Sequence, residues 1–265
     1  EYAAGALANI FSDNAPSVTK GFEEAPQMVS ALVAITSSRS VGEDAKRQAA
    51  FALAMLAAED APCQKAWEAG AKRPLLELLA AGVEQAALGI MNLSWKCPDK
   101  KEELAKDGAV EHLLKLLESG DDVAKGYAAG ALMNMTAGAP QTAARCGGAV
   151  PRLVAMLRGP ATQAAEWAAG ALANVALGNA GAQESASAAG AAPALAALLA
   201  KATPSGRPLV VQALAAVAEG HAAAVRKVLG SSEKAKLKEF KASGEKELLD
   251  SVQALVEKLG GDFAL

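Results

Sequence analysis

A seven-residue pattern that returns along the chain constrains this sequence more than any other feature. Ala3–Asn9 reads AAGALAN, Ala128–Asn134 reads AAGALMN and Ala168–Asn174 reads AAGALAN. Degenerate copies run over Ala86–Asn92 (AALGIMN), Ala49–Met55 (AAFALAM) and Val210–Ala216 (VVQALAA). Anchored on the apolar residue two before the Asn position, the copies sit at Leu7, Leu53, Ile90, Leu132, Leu172 and Leu214, with successive spacings of 46, 37, 42, 40 and 42 residues. A drifting period of about 40 residues suits a helical solenoid and excludes ankyrin and tetratricopeptide units of roughly 33–34 residues. In such a chain each unit buries its apolar face only against its neighbours.

A second marker recurs in phase with the first. Gly70-Ala71, Gly108-Ala109-Val110, Gly148-Ala149-Val150 and Gly190-Ala191-Ala192 each lead into an apolar stretch, at Leu75–Leu79, Leu113–Leu117, Leu153–Leu157 and Leu195–Leu199. Apolar positions within these stretches follow helical spacing, not the alternation of a strand. Each unit therefore reads as three helices. A short first helix (for example Lys101–Lys106) ends at the glycine, where a residue without Cβ turns the chain sharply. A second (Val110–Leu117) ends at a polar break, and a longer third (Val123–Thr136) carries the signature, with Asp121 or Asp122 as its N-cap. Pro151 and Pro193 fall in the first turn of second helices, where a missing N–H is harmless. Composition agrees: 52% of residues are hydrophobic but only 4% aromatic, and the alanine that fills the difference is the best intrinsic helix former.

The glycine-led turn, the G-A-V entry and the A-A-G-A-L-x-N third helix together resemble armadillo repeats. HEAT repeats, the nearest competitor, usually have two helices and other proline and arginine markers. The resemblance implies an all-α, right-handed α-solenoid of armadillo repeats, three helices per repeat. It covers residues 1–230 as a partial repeat 1–20 and repeats near 21–60, 61–98, 99–138, 139–179 and 180–220. The partial start leads us to expect further repeats or a partner on its upstream face. After Gly230 the register is lost to the eye, and 231–265 reads as a charged, helical C-terminal cap.

In armadillo proteins the third helices line a concave groove, and the residue matching this Asn commonly hydrogen-bonds the main chain of an extended peptide. Carried over by position, the resemblance implies partner-binding roles for Asn9, Asn92, Asn134 and Asn174. Tyr127 and Trp167 lie seven residues before their Asn on the same helical face and join the candidate site. An Asn amide both donates and accepts, so it pairs with a peptide unit whatever the side chain. The alternative open at this point is that these amides bond neighbouring helices. Helices packed about 8–10 Å apart and a strand rise of about 3.3 Å assign two or three ligand residues to each repeat. Nuclear-import adaptors of the family carry Trp four residues before the Asn. Those positions here are Gly5, Leu88, Gly130 and Gly170, so the resemblance is closer to catenin-like, vacuolar and ciliary members.

Nothing in the residues points to catalysis. The two histidines, His112 and His221, have no metal-ligand spacing to another His or Cys, and no strand precedes a glycine pair to make a phosphate loop. No enzyme activity, cofactor or metal is expected. A net charge of −3, from 26 basic and 29 acidic residues, gives no electrostatic footprint for nucleic acid. No stretch reads as a membrane span. Cys63, Cys97 and Cys146 are an odd number at unrelated spacings, which suits buried free thiols in an intracellular, reducing compartment and no disulfide framework. Cytoplasm, cilium and organelle interior are not distinguished. The expected function is a protein–protein interaction scaffold, within a larger complex, that grips an extended peptide or partner helix. A structural subunit built permanently into an assembly is the alternative.

Overall fold

The computed structural model describes residues 5–7, 10, 15–260, 263 and 265, and all its regular structure is helical among those residues. The helices fall into triplets. The first comprises α1 (Ala15–Glu24), α2 (Gln27–Ser37) and α3 (Glu43–Leu56). The second is α4 (Asp60–Glu68), α5 (Lys72–Ala80) and α6 (Glu84–Lys96). The third is α7 (Lys101–Lys106), α8 (Ala109–Ser119) and α9 (Asp122–Thr136), and the fourth α10 (Pro140–Arg145), α11 (Val150–Met156) and α12 (Thr162–Ala176). Then follow α13 (Ala180–Ala188), α14 (Ala191–Leu199), α15 (Arg207–Val228), α16 (Ser231–Ala242) and α17 (Lys246–Leu259). The chain forms two compact units, Glu1–Met135 and Thr136–Leu265.

Local chemistry sets the element ends as the sequence predicts. Asp121 Oδ1 accepts from the Ala124 N–H at 2.9 Å, satisfying one of the orphan donors at the start of α9. Gly108 and Gly190, at φ 91° and 77°, make the turn into α8 and α14 in a left-handed conformation that costs a side chain 1–2 kcal/mol or so. Gly148 differs. Its φ is not positive, and a 3₁₀ turn over Gly147–Ala149 replaces the left-handed residue.

In the N-terminal unit α3 packs on α6, and α5 packs on both α2 and α8. Third helices thus stack on third helices and second on second. The signature's small residues make this possible: Ala49, Ala50, Ala52, Ala86, Ala87, Ala128, Ala129 and Ala131 are all fully buried. A Cβ added at Gly89 would sit 3.2 Å from both methyls of Leu75, so α5 and α6 meet in tight contact there. The repeat anchors Leu53, Ile90 and Leu132 are at most 1% exposed.

The C-terminal unit repeats this order, with α11 and α15 on α12, α14 on α15, and α17 on α15. The anchors Leu172 and Leu214 are fully buried. α15 is 22 residues long, and its most apolar 18-residue stretch has mean hydropathy 1.4, enough by length and composition to cross a membrane. It is broken at His221, whose φ −137° and ψ 43° are not helical. The straight part, 207–220, covers only about 21 Å at ~1.5 Å per residue, short of a hydrocarbon core of about 30 Å, and it is packed among the other helices.

The break alters the reading of the C-terminal region. Residues 222–228, α16 and α17 succeed one another as short first, second and third helices, and α17 lies on α15 as third helix on third helix. Val211–Leu214 and Val252–Leu255 both read VQAL. Leu255 follows Leu214 by 41 residues and is fully buried, as are Leu248 and Leu259. Helices and a VQAL segment thus continue past Gly230.

A carboxylate ties three of these third helices at their C-terminal ends. Glu219 accepts from Lys258 Nζ at 2.7 Å, the Gly178 N–H at 3.1 Å and Gln183 Nε2 at 2.9 Å. These contacts, Lys258 foremost, hold its carboxyl below the usual glutamate range. A carboxyl depressed on folding stabilises above its unfolded pKa of about 4.3, and that stabilisation disappears as pH falls through the folded value. Glu219→Gln should therefore melt below the parent at pH 7, with the gap closing as the pH is lowered from about 5 to 3. Melting curves across that range check this; a gap independent of pH would show that the Glu219 charge contributes nothing.

Candidate partner-binding face

The candidate residues lie on the third helices. On α6 the residues Gln85, Leu88 and Asn92 share a face, as do Tyr127, Gly130 and Asn134 on α9 and Trp167, Gly170 and Asn174 on α12. Asn9 lies outside the described residues. The N-terminal unit brings Asn92 and Asn134 together on consecutive third helices. Asn174 and Trp167 sit on α12 in the C-terminal unit, and Trp167 is half-buried there.

Each described signature Asn reaches the third helix of the preceding repeat. Asn92 Nδ2 donates to the Ala54 carbonyl at 2.7 Å, Asn134 Nδ2 to the Met91 carbonyl at 3.0 Å, and Asn174 Nδ2 to Thr136 Oγ1 at 3.2 Å. A carbonyl only accepts, so the amide nitrogen must be the atom facing it at Asn92 and Asn134. The Asn92 contact finishes an incomplete helix end. The last carbonyls of α3 have no partner within the helix; Leu53, Met55 and Leu56 are satisfied by the N–H groups of Ala57, Ala58 and Glu59, and Ala54 by Asn92. The amides thus bond neighbouring helices through nitrogen, which was the alternative left open by the sequence.

The other end of the amide is uncommitted. The Oδ1 atoms of Asn92 and Asn134 accept no hydrogen bond among the described residues, and neither is sealed off as a buried orphan. Each amide also keeps a second N–H. A fixed nitrogen with an open oxygen is a pre-aimed acceptor for a ligand N–H.

Tyr127 is half-buried. Burial, and secondarily the negative charge of Glu84, raises its phenol above the ordinary value, so the hydroxyl remains a donor. Met55 and Ala216 stand at the Asn position of their copies. Trp95 is the residue sequence reasoning missed. It is 60% exposed, with Lys96 Nζ 4.6 Å from its ring centroid. Its position three residues after Asn92 puts it on the same helical face, a signal present in the sequence. Among the described residues no group of three or more His, Cys, Asp or Glu could hold a metal ion.

The repeat arrangement defines an all-α armadillo-type solenoid, and comparison with known proteins agrees. Residues 97–137 match the family model of the Armadillo/beta-catenin-like repeat. A designed armadillo repeat protein shares 26% identity at TM-score 0.69, covering 87% of this chain and 99% of its own. A second, solved in complex with peptide (KR)4, shares 25% at TM-score 0.64 over 87% of this chain and 99% of its own. Computationally designed armadillo repeat proteins for modular peptide recognition share 26% at TM-score 0.63 over 88% and 98%. No curated protein shows significant similarity to the chain. The single-repeat match and these neighbours support the armadillo repeat family, a non-catalytic scaffold type.

Proposed function

We propose that this chain is a protein–protein interaction scaffold that holds an extended peptide segment, or a partner helix, along the face of its third helices. The observation that carries this reading is the pair Asn92 and Asn134. Both amides are clamped through nitrogen to the preceding third helix, and neither amide oxygen accepts a hydrogen bond among the described residues. Neighbours built for peptide recognition, one of them holding a peptide of basic residues, support the class of ligand. Tyr127 and Trp95 supply apolar area on the same helices of the N-terminal unit, and aromatic anchors dominate such interfaces.

The test selects binders from a random dodecapeptide display library and follows affinity and melting in the same variants. Asn92→Ala and Asn134→Ala should each weaken binding by about 0.5–1.5 kcal/mol, the net value of a neutral hydrogen bond. Stability should fall by a similar amount in Asn92→Ala, where the Ala54 carbonyl at the end of α3 loses its donor, and by less in Asn134→Ala, because the Met91 carbonyl lies inside α6 and also accepts from Ser94 Oγ at 2.9 Å. Trp95→Ala, at an exposed indole on the same face of α6 as Asn92, should cost more affinity than either. Variants that lose stability while binding unchanged would remove this face as the binding site, and a subunit fixed permanently in an assembly would become the better reading.

A further inference from the structure

Cys63 and Cys97 are 34 residues apart in sequence, yet their sulfurs lie 2.7 Å apart and share a thiol hydrogen bond. Cys63 is in the first half of α4, and Cys97 is the residue directly after α6. The two helices pack on each other, and a Lys96–Asp60 ion pair at 3.1 Å closes the same corner. Both thiols are free and buried. A covalent S–S bond of about 2.05 Å is only about 0.65 Å shorter than the present separation. Cys146 stands apart, donating to the Thr142 carbonyl at 3.3 Å in the C-terminal unit.

We propose that Cys63 and Cys97 form a redox-active dithiol that closes to an intramolecular disulfide when the protein meets a hydroperoxide. Cys97 reacts first. It is the less enclosed of the two, 3% exposed against 0% for Cys63, and it follows the exposed Trp95. Burial, and then the hydrogen bond to Cys97, pushes the Cys63 thiol up, so it stays protonated. The Cys97 sulfur attacks one peroxide oxygen, forming an S–O bond and breaking the O–O bond; the departing hydroxide takes up the thiol proton as water. The Cys63 sulfur then displaces hydroxide from the Cys97 sulfenic acid, the S–S bond forms, and the Cys63 proton leaves with the oxygen as a second water. Two thiols and one hydrogen peroxide become one disulfide and two waters. A dithiol reductant reverses the step by exchange. Once closed, the bond pins the C-terminal end of α6, beside Trp95, to the first helix of its own repeat.

The experiment treats reduced protein with hydrogen peroxide, with glutathione in a parallel tube as a free-thiol control, then denatures, alkylates and maps the peptides. Two of three thiols should escape alkylation, a linked peptide should join Cys63 to Cys97, and Cys146 should be alkylated. The oxidised protein should melt about 5–10 °C higher, as a cross-link over a loop of this length predicts, and dithiothreitol should restore the original curve. Cys63→Ser should carry oxidised Cys97 with no rise in melting temperature. Three alkylated thiols in protein whose glutathione control is oxidised would overturn the proposal. So would Cys97 sulfinic acid beside alkylated Cys63, or a linkage through Cys146 or between chains.

Discussion

Leu172→Ala is expected to destabilise the protein by about 2–5 kcal/mol, the cost of removing a buried leucine and leaving part of its cavity unfilled. Leu172 has no exposed surface and sits where α12 meets α11 and α15. Its neighbours along the helix are Ala168, Ala169, Ala171 and Ala176, also fully buried. Leu132→Ala, in the N-terminal unit, should behave alike. Gln163→Ala, at an exposed position on α12, is the control and should change stability by no more than about 0.5 kcal/mol. Denaturant melts of the three variants check this. A Leu172→Ala protein melting with the control would mean that the signature leucine does not face the core.

The second large effect is expected at a buried carboxylate. Glu166 on α12 is 3% exposed and accepts from the Thr203 N–H at 2.6 Å and from Thr203 Oγ1 at 2.8 Å. It thereby fixes the loop that leads into α15. Glu166→Ala strands the Thr203 N–H, leaves the Thr203 hydroxyl only Ser205 Oγ at 3.2 Å to donate to, and removes two charge-assisted hydrogen bonds, for a loss of about 2–4 kcal/mol. The same carboxylate lies against Gly206, where an added Cβ would overlap its carboxyl group. Gly206→Ala should therefore destabilise the parent by pushing Glu166 off Thr203. In the Glu166→Ala background the obstruction is gone, and the same substitution should cost little. The double-mutant cycle measures this coupling; an equal cost of Gly206→Ala in both backgrounds would show that the contact is irrelevant to stability.

These residues mark what was legible. The signature leucines, the helix-capping Asp121 and the turn glycines Gly108 and Gly190 could be placed because each acts within a few residues of its own position. Period, cap and left-handed turn are local consequences of residue type. Gly148 shows the limit of that rule, since the same glycine-led motif accommodates a 3₁₀ turn. The second VQAL segment is hard to see in the sequence because the charged α16 stands between it and the first. Trp95 is legible only through its helical spacing from Asn92, three residues before it.

By itself the sequence determined the all-helical class, the three-helix unit and the residues that face the core, because hydrophobic period and helix-end chemistry are written in neighbouring positions. Only the tertiary structure decided what the polar and sulfur atoms do. The Asn92 nitrogen closes a helix end 38 residues away, the Glu166 carboxylate holds a loop 37 residues on, and Cys63 meets Cys97 across 34. Each pairing depends on how one repeat seats on the next, or one helix on another within it. A shift of one residue in that seating would leave the hydrophobic pattern intact and break every one of these contacts. Hydrophobic burial is non-directional and tolerates such a shift; hydrogen bonds and thiol pairing are directional and do not.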